Sequence, residues 1–461
     1  MYLRKYFFKL FLRPISLLII IGSFTSCAQD KTSADQLKVV HTDWSKNATI
    51  YEVNIRQYTP EGTFKAFEQH LPRLKEMGID ILWLMPINPI GDLNRKGILG
   101  SYYAVKDYKG VNPEFGTLED FKSLVNKIHE LDMYVILDWV ANHTAWDNIW
   151  TETNPEFFSK DSTGNFYPPV ADWSDVIDLN YDNKLLWKFM IDAMKYWVAE
   201  CNVDGYRCDV AAMVPTELWN QARKELDQIK SVFMLAEAGE SFLHDKAFDM
   251  TYNWPLKDLM NAIAKGEKNA SDIRAYYENE KTEYDIDAYR MTFTSNHDEN
   301  TWHGTVFERL GDAAEMFSVL TCTVKGVPLV YSGQEAGLDK RLDFFEKDQI
   351  EWKDHKFYDL YKTLFTLKHD NTALWNGAAG GEMDFILSDN DKSIFVFSRE
   401  KLDDKIVAVF NVSNNDMAVK LSGPELIGNY IELFSNVEFN FTSDKAELSL
   451  EPWGYLVFVK E

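Results

Sequence analysis

Short apolar runs alternate with helix-length segments over most of this chain, and that alternation limits the folds open to it. Such a pattern predicts a parallel sheet whose strands are joined by helices. The predicted strands are Ile50–Tyr58, Ile79–Ile87, Met133–Val140, Gly205–Ala211, Val232–Ala236, Met250–Asn253, Arg290–Ser295 and Val327–Tyr331. The predicted helices are Phe64–Met77, Leu118–Leu131, Leu185–Glu200, Leu218–Ile229 and Tyr358–His369. Eight such strands close into an α/β fold, the (β/α)8 or TIM barrel.

The pattern changes after the last predicted helix, where short apolar runs are separated by turn residues and show no helical period. The strands predicted there are Phe385–Leu387, Ser393–Phe397, Ile406–Phe410, Tyr430–Phe434 and Trp453–Val459. We therefore predict a barrel at residues 44–374 and a C-terminal antiparallel β-sandwich at residues 375–461. The long irregular segment after the third strand predicts a short inserted subdomain at residues 144–180. Because this subdomain is short, we expect the binding site to be an open cleft rather than a closed pocket.

The N-terminus has the pattern of a bacterial export signal. Basic residues precede the apolar run Ile15–Ile21, which is too short to span a bilayer. Because Phe24–Cys27 resembles a lipoprotein cleavage site, we predict a signal peptide at residues 1–26, lipidation of Cys27 and a tether at residues 27–43. An ordinary secretory signal with an incidental cysteine is the alternative. The prediction implies export and anchoring to the cell envelope, on the periplasmic or outer surface, through the lipid alone.

The charge of the chain limits its partners. The formal net charge is −24 at pH 7. Nucleic-acid binding needs a basic surface, so we expect no nucleic-acid partner. A neutral substrate is compatible with this charge.

Four short segments bring acidic and polar residues to the ends of predicted strands. They are Asp138–His143, Gly205–Asp209, Leu235–Ala238 and Phe293–Asp298. Because the carboxyl ends of barrel strands converge on one face, residues far apart in sequence meet there in one pocket. The sequence therefore predicts a single site with several carboxylates.

These four segments closely resemble those of the α-amylase family, glycoside hydrolase family 13. Further matching stretches, in the same order, are Ser101–Tyr108, Val111–Thr117 and Gly326–Tyr331. The resemblance extends roughly from Trp44 to the C-terminus. It implies the same barrel and C-terminal domain, and cleavage of glycosidic bonds with retention of anomeric configuration through a covalent intermediate on Asp209.

The residues themselves suggest how two carboxyls divide the work. Cleaving a glycosidic bond needs one ionised and one protonated carboxyl, whose pKa values must differ. Arg207 lies two residues before Asp209, so the two share a strand face and the guanidinium favours a charged Asp209. Glu237 ends the apolar run Val232–Ala236, where desolvation raises a carboxyl pKa. We predict Asp209 as nucleophile and Glu237 as general acid. Glu240 is a rival, but Glu237 holds the position of the family's acid.

Asp298 is the third predicted catalytic carboxylate, gripping sugar hydroxyls and favouring distortion of the ring. Asp138 is predicted to orient Arg207 or the nucleophile.

Three more residues are predicted to bind the sugar that is cleaved. His143 and His297 could hydrogen-bond its hydroxyls. The resemblance implies that Tyr103 stacks on its ring, with the adjacent Tyr102 as the alternative.

Calcium is the one metal that the resemblance raises. Asn142 matches a residue that ligates structural calcium in many relatives. Those relatives often carry Lys-His three and four residues beyond the nucleophile, where this chain has Ala212 and Met213. No dense Asp/Asn/Gly loop replaces them. We therefore predict no cofactor and a metal-independent site, with Asn142 as a ligand if calcium is present.

Three functions compete. The first is an endo-acting hydrolase of α-1,4-glucosidic bonds in starch or maltooligosaccharides. The second is an α-glucosidase or transglycosylase on the same barrel. The third is a non-catalytic, lipid-anchored glucan-binding protein, which predicts that at least one carboxylate is lost, whereas all three are present.

Overall fold

The structure is a computed structural model that describes residues 38–461. The predictions for the signal peptide at residues 1–26, for Cys27 and for the first part of the tether fall outside the described residues. Within residues 38–461, the helices are all too short or too polar to cross a membrane.

Eight parallel strands form a closed barrel. The first ten strands of the described chain are β1 (Ile50–Val53), β2 (Ile81–Leu84), β3 (Tyr134–Trp139), β4 (His143–Ala145), β5 (Val176–Asp178), β6 (Gly205–Cys208), β7 (Phe233–Ala236), β8 (Met250–Tyr252), β9 (Tyr289–Thr292) and β10 (Val327–Tyr331). The barrel order is β1-β10-β9-β8-β7-β6-β3-β2. Neighbouring strands pair in parallel, as between β3 and β6. The predicted (β/α)8 barrel is confirmed.

Helices connect the strands. They are α1 (Ile55–Tyr58), α2 (Phe64–Glu68), α3 (Leu71–Met77), α4 (Leu118–Glu130), α5 (Trp150–Thr153), α6 (Lys184–Cys201), α7 (Thr216–Leu226), α8 (Trp254–Ala264), α9 (Ala270–Glu283), α10 (Val306–Leu310), α11 (Ala314–Thr323) and α12 (Lys356–Asp370). Helix α4 shows why such segments fold. Thr117 and Asp120 form a capping box at its start, and Phe121, Leu124 and Ile128 bury one face.

Two predicted elements near the N-terminus are divided in the structure. The strand predicted as Ile50–Tyr58 ends at Val53, because Ile55–Tyr58 form a helical turn whose four side chains, including those of Arg56 and Gln57, are buried. The helix predicted as Phe64–Met77 is two helices, α2 and α3. Pro72 lies in the first turn of α3, where its missing N–H is tolerated, whereas it would interrupt a continuous helix.

A short inserted subdomain follows β3. Strands β4 and β5 pair antiparallel, with His143 opposite Asp178. Between them the indole of Trp146 donates to the Ser174 carbonyl at 2.9 Å. The ring of Trp173 lies 5.3 Å from that of His143. The subdomain therefore packs onto the end of the third barrel strand.

Two antiparallel sheets form the C-terminal sandwich. Their strands are β11 (Met383–Phe385), β12 (Leu387–Ser388), β13 (Ile394–Lys401), β14 (Asp404–Asn411), β15 (Met417–Ser422), β16 (Gly428–Glu432), β17 (Glu438–Phe441), β18 (Lys445–Leu450) and β19 (Tyr455–Lys460). The sheets are ordered β11-β13-β14-β19-β16-β17 and β12-β15-β18. The strand predicted as Phe385–Leu387 is wrong, because the chain changes sheets at the buried Ile386.

Residues 38–43 do not behave as a flexible tether. Nδ1 of His41 lies 2.8 Å from Asp249 Oδ1, and Arg223 donates to the Val40 carbonyl at 3.1 Å. The Asp249 side chain is fully buried, and that of His41 is only 10% exposed. These contacts fix the segment against the barrel, although its polar composition predicted a tether as far as residue 43.

Arg399 of β13 joins the sandwich to the barrel. Its Nε donates to the Gly381 carbonyl at 3.0 Å, and Nη2 donates to that of Trp375 at 3.1 Å. Nη1 donates to the carbonyls of Thr323 and Val324 at 3.2 and 2.8 Å. The side chain is fully buried, and burial lowers its pKa to about 10. Four main-chain carbonyls therefore stabilise this cation at the domain junction.

Candidate active site

Three barrel strands carry the predicted catalytic residues to one end of the barrel. Asp138 lies near the end of β3 and Arg207 in β6. Asp209 directly follows β6, and Glu237 directly follows β7. Because β3, β6 and β7 are adjacent in the sheet, these side chains meet at the carboxyl face.

Arg207 is the centre of the site. Its Nη1 donates to Asp138 Oδ1 at 2.8 Å and to Asp209 Oδ1 at 2.9 Å. Its Nη2 lies 3.0 Å from Glu237 Oε2, an ion-pair contact outside hydrogen-bonding geometry. The Arg207 side chain is fully buried. The structure thus brings together the carboxylate near the end of β3 and the two that directly follow β6 and β7.

A sharp turn links the two catalytic candidates. Val210 follows Asp209 with φ 36° and ψ 48°, a left-handed conformation that is strained for a β-branched residue. The turn directs the Val210 N–H at Glu237 Oε2, to which it donates at 2.8 Å. Backbone strain next to Asp209 therefore positions the Glu237 carboxyl.

Burial sets the electrostatics of these carboxyls. Desolvation raises the pKa of Glu237 to about 7, and the charges of Asp209 and Asp298 add to the rise while Arg207 opposes it. Desolvation likewise raises the pKa values of Asp209 and Asp138 to about 6 against the opposing charge of Arg207. Arg207 favours ionised Asp209, as predicted, but burial outweighs it. The higher pKa still belongs to the predicted acid.

A second group of side chains supports Asp138. The hydroxyl of Tyr103 donates to Asp138 Oδ2 at 3.0 Å, and the indole N–H of Trp83 donates to the same oxygen at 3.1 Å. The Tyr103 hydroxyl also lies 2.9 Å from Nε2 of His297. All four side chains are buried. The predicted residues Tyr103, Asp138 and His297 therefore form one network.

Glu52 is a site residue that the sequence reasoning missed. It lies in β1, is fully buried, and its Oε1 is 2.5 Å from His297 Nδ1. The charges of Asp298 and Glu52 raise the pKa of His297 to about 9, although its burial acts in the opposite direction. The signal was a lone carboxylate in the apolar run Ile50–Val53.

One cavity of about 660 Å³ unites the predicted residues. Its lining includes Tyr103, His143, Asp209, Glu237, His297 and Asp298. The volume lies in the usual range of ligand pockets. His143 is buried there, and burial lowers its pKa to about 3, so the imidazole is neutral. Asp138 and Arg207 lie beneath this cavity rather than on its wall.

Asn142 lies apart from this cavity. It lines a separate space of about 600 Å³, next to Asp178 and Met213. Its side-chain amide nitrogen is 3.3 Å from His143 Nδ1. Its main-chain carbonyl accepts a hydrogen bond from the N–H of Leu179. Among residues 38–461, no group of three or more His, Cys, Asp or Glu side chains is arranged to hold a metal.

A closed (β/α)8 barrel with two buried carboxyls at the C-terminal ends of its strands has the arrangement that a glycoside hydrolase needs. Comparison with known proteins identifies the family. The α-amylase catalytic-domain model matches residues 21–175 and 158–375. The maltogenic-amylase C-terminal-domain model matches residues 383–457. The chain belongs to the α-amylase family.

Similar proteins agree with this assignment. A noncanonic maltogenic α-amylase from Thermotoga neapolitana is 33% identical, with a TM-score of 0.83 over 90% of this chain and 99% of that one. An α-amylase from Lactobacillus plantarum is 30% identical, with a TM-score of 0.81 over 91% and 100%. Alpha-amylase 3 of Dictyoglomus thermophilum is 27% identical over 80% of this chain and 85% of its own. At the level of the family, these relatives support hydrolysis of α-1,4-glucans.

Proposed function

We propose that the protein hydrolyses α-1,4-glucosidic bonds in starch fragments or maltooligosaccharides with retention of configuration, by double displacement. The observation that carries this proposal is the contact of Asp209 and Glu237 with one guanidinium, at 2.9 and 3.0 Å. Retaining glycosidases hold their two carboxyls close together, whereas inverting enzymes leave room for a water between them. A pair bridged by Arg207 supports the shorter separation.

The two carboxyls then divide the reaction. Asp209 attacks the anomeric carbon while Glu237 gives its proton to the departing glycosidic oxygen. Glu237 next takes a proton from water, whose oxygen displaces Asp209 from the anomeric carbon. The pKa of about 7 for Glu237 keeps it protonated at slightly acid pH, where Asp209, with a pKa of about 6, is largely ionised.

The remaining residues would hold the sugar. Asp298 reaches the cavity with a side chain that is 30% exposed, which suits a carboxylate that grips hydroxyls. Protonated His297 donates from both ring nitrogens, one to Glu52 and one to Tyr103. We therefore assign His297 to orienting Tyr103 as well as to contacting the sugar. Neutral His143 can accept or donate a hydrogen bond to a sugar hydroxyl.

The short insert at residues 144–180 and the metal question complete the proposal. A short cleft wall favours cutting in the middle of a glucan chain, and α-glucosidase or transglycosylase action remains the alternative. We propose that catalysis needs no calcium, because Ala212 and Met213 stand where many relatives have Lys-His.

Proton NMR of freshly formed products tests the proposal. Maltooligosaccharides should first release the α-anomer, and the β-anomer should grow only by mutarotation. Immediate β-anomer would contradict retention. With amylose, iodine colour should fall before glucose accumulates, whereas glucose as the sole early product would favour the α-glucosidase alternative.

A further inference from the structure

A buried carboxylate lies behind the wall of the catalytic cavity, and the reaction steps above give it no task. Glu52 is fully buried in β1 and does not line the cavity. Its Oε1 is 2.5 Å from His297 Nδ1, while its Oε2 has no hydrogen-bond partner among residues 38–461. Within that part of the chain, His297 is the one side chain that forms an ion pair with it. A buried carboxylate is costly unless it is paired, so an ionised Glu52 depends on His297.

The hydrogen bonds around His297 indicate its protonation state. The Tyr103 hydroxyl has one proton, which it donates to Asp138 Oδ2 at 3.0 Å. Its oxygen must therefore accept from His297 Nε2 at 2.9 Å, so that nitrogen carries a proton. Nδ1 faces Glu52, and an ionised carboxylate only accepts hydrogen bonds, so Nδ1 carries a proton as well. A ring with two N–H groups is an imidazolium cation.

Charged groups on several elements act on this ring. Burial alone would lower the pKa of His297, and the charge of Arg207 acts in the same direction. The charges of Asp298 and Glu52 outweigh both and raise that pKa to about 9. Desolvation raises the pKa of Asp138, and the charges of Arg207 and His297 oppose that rise. The Asp298 side chain is 30% exposed, whereas that of Glu52 is fully buried, so solvent screens Glu52 least.

His297 connects Glu52 to two groups that face the sugar. Its Nε2 lies 2.9 Å from the Tyr103 hydroxyl and 3.3 Å from Asp298 Oδ2. The Tyr103 ring is stacked on the imidazole, with centroids 5.5 Å apart and an interplanar angle of 21°. Hydrogen bonds from a charged donor are about twice as strong as neutral ones. A cationic His297 therefore holds Tyr103 and Asp298 more firmly than a neutral ring would.

We propose that Glu52 is a positioning residue that acts through His297. As the buried counter-ion of that ring, it keeps both nitrogens protonated, and the cation holds Tyr103 and Asp298 against the sugar that is cleaved. Glu52 itself touches no substrate. This inference rests on the proposed function, because it takes Tyr103 and Asp298 as sugar contacts.

NMR of the ring nitrogens tests the ion pair without any turnover. The full-length protein has nine histidines and can be labelled with ¹⁵N-histidine, and the His297 signals are those missing in His297→Gln. At about pH 8, between the ordinary pKa of 6.5 and the raised value of about 9, both ring nitrogens of His297 should be protonated in the wild type. In Glu52→Gln, which keeps the shape but not the charge, one of them should have lost its proton.

Kinetics test the positioning role. Glu52→Gln should lower kcat/KM about tenfold, and by the same factor for starch and for α-maltotriosyl fluoride, because sugar positioning does not depend on the leaving group. Glu52→Asp keeps the charge but shortens the side chain, and it should be more active than Glu52→Gln. A role in packing alone predicts the reverse order, since Gln preserves the shape.

The matched control is Glu335→Gln. Glu335 is also buried, with Oε1 2.7 Å from Arg73 Nη2 and Oε2 without a hydrogen-bond partner in the described chain. It lines a different cavity from that of Asp209. Glu335→Gln should leave the His297 signals and the kcat/KM of both substrates unchanged.

Three results would overturn the inference. They are a neutral His297 in the wild type at about pH 8, a kcat/KM of Glu52→Gln equal to that of Glu335→Gln, and a Glu52→Asp variant less active than Glu52→Gln. If Glu52→Gln lacks the native Tm, the wild-type spectrum and Glu52→Asp decide. A wild type that hydrolyses neither substrate would overturn the proposed function and the positioning role with it. The NMR spectrum distinguishes that result from a neutral His297 in an active enzyme.

Discussion

Replacing Glu237 by Gln separates proton donation from nucleophilic attack. The side chain keeps its shape and its place 2.8 Å from the Val210 N–H, but it can no longer give a proton. General acid catalysis contributes about 10²–10⁴-fold, so activity on starch should fall by that factor. Fluoride leaves without protonation, so α-maltotriosyl fluoride should still form the intermediate. Azide should then restore turnover, giving an α-glycosyl azide.

The pH dependence of the wild type follows from the same environment. Moving the pKa of Glu237 from its usual 4.5 to about 7 corresponds to about 3 kcal/mol in favour of the neutral carboxyl. Its proton, and with it the activity, is lost as the pH rises through about 7. Asp209 must be ionised, so activity is also lost as the pH falls through about 6.

The assay is kcat/KM against pH for starch and for the fluoride, in the wild type and in Glu237→Gln. The wild type should show a narrow bell on starch with limbs near pH 6 and pH 7. The variant should lose the alkaline limb on the fluoride. Equal losses on both substrates, an alkaline limb that persists in the variant, or a β-glycosyl azide would refute the assignment of Glu237 as the acid.

Three further predictions concern the rest of the chain. Arg399→Met should lower the free energy of unfolding by about 3–5 kcal/mol, because four buried carbonyls lose their donors. The control is the exposed Arg341, where Arg341→Met should change the free energy of unfolding by less than about 0.5 kcal/mol. Urea denaturation measures both values, and equal effects would contradict the role of Arg399 at the junction. Activity and Tm should survive exhaustive EDTA treatment, and a loss restored by calcium would show that Asn142 has ligand partners. The Cys27→Ser variant should no longer be found in the membrane fraction. A variant that still sediments with membranes and carries an acyl chain would refute lipidation at Cys27.

Much of the fold follows from sequence patterns, and its limits have physical reasons. All eight barrel strands coincide with predicted apolar runs, because strands buried on both faces are continuously apolar. The predicted ends of strands were less accurate where the chain stays buried while it changes from strand to helix, as at Ile55–Tyr58. The helices α8 to α11 were not predicted. The tether was predicted to extend too far toward the barrel, because the contact of His41 with Asp249 joins residues far apart in sequence.

The site was predictable where chemistry coincides with strand ends. Asp138, Arg207, Asp209 and Glu237 were located because each lies at or just beyond the end of an apolar strand. Glu52 was missed because its meaning depends on His297, 245 residues away. Contacts of this kind depend on tertiary packing, which a single sequence does not display.

The covalent intermediate gives the most direct test of the central claim, that Asp209 is the nucleophile. Glu237→Gln incubated with α-maltotriosyl fluoride, quenched in acid and digested, should yield a maltotriosylated peptide that contains Asp209. Glu237→Gln combined with Asp209→Asn should yield none. A maltotriosyl group on another carboxylate such as Asp298, or fluoride release with inversion and no adduct, would contradict the account.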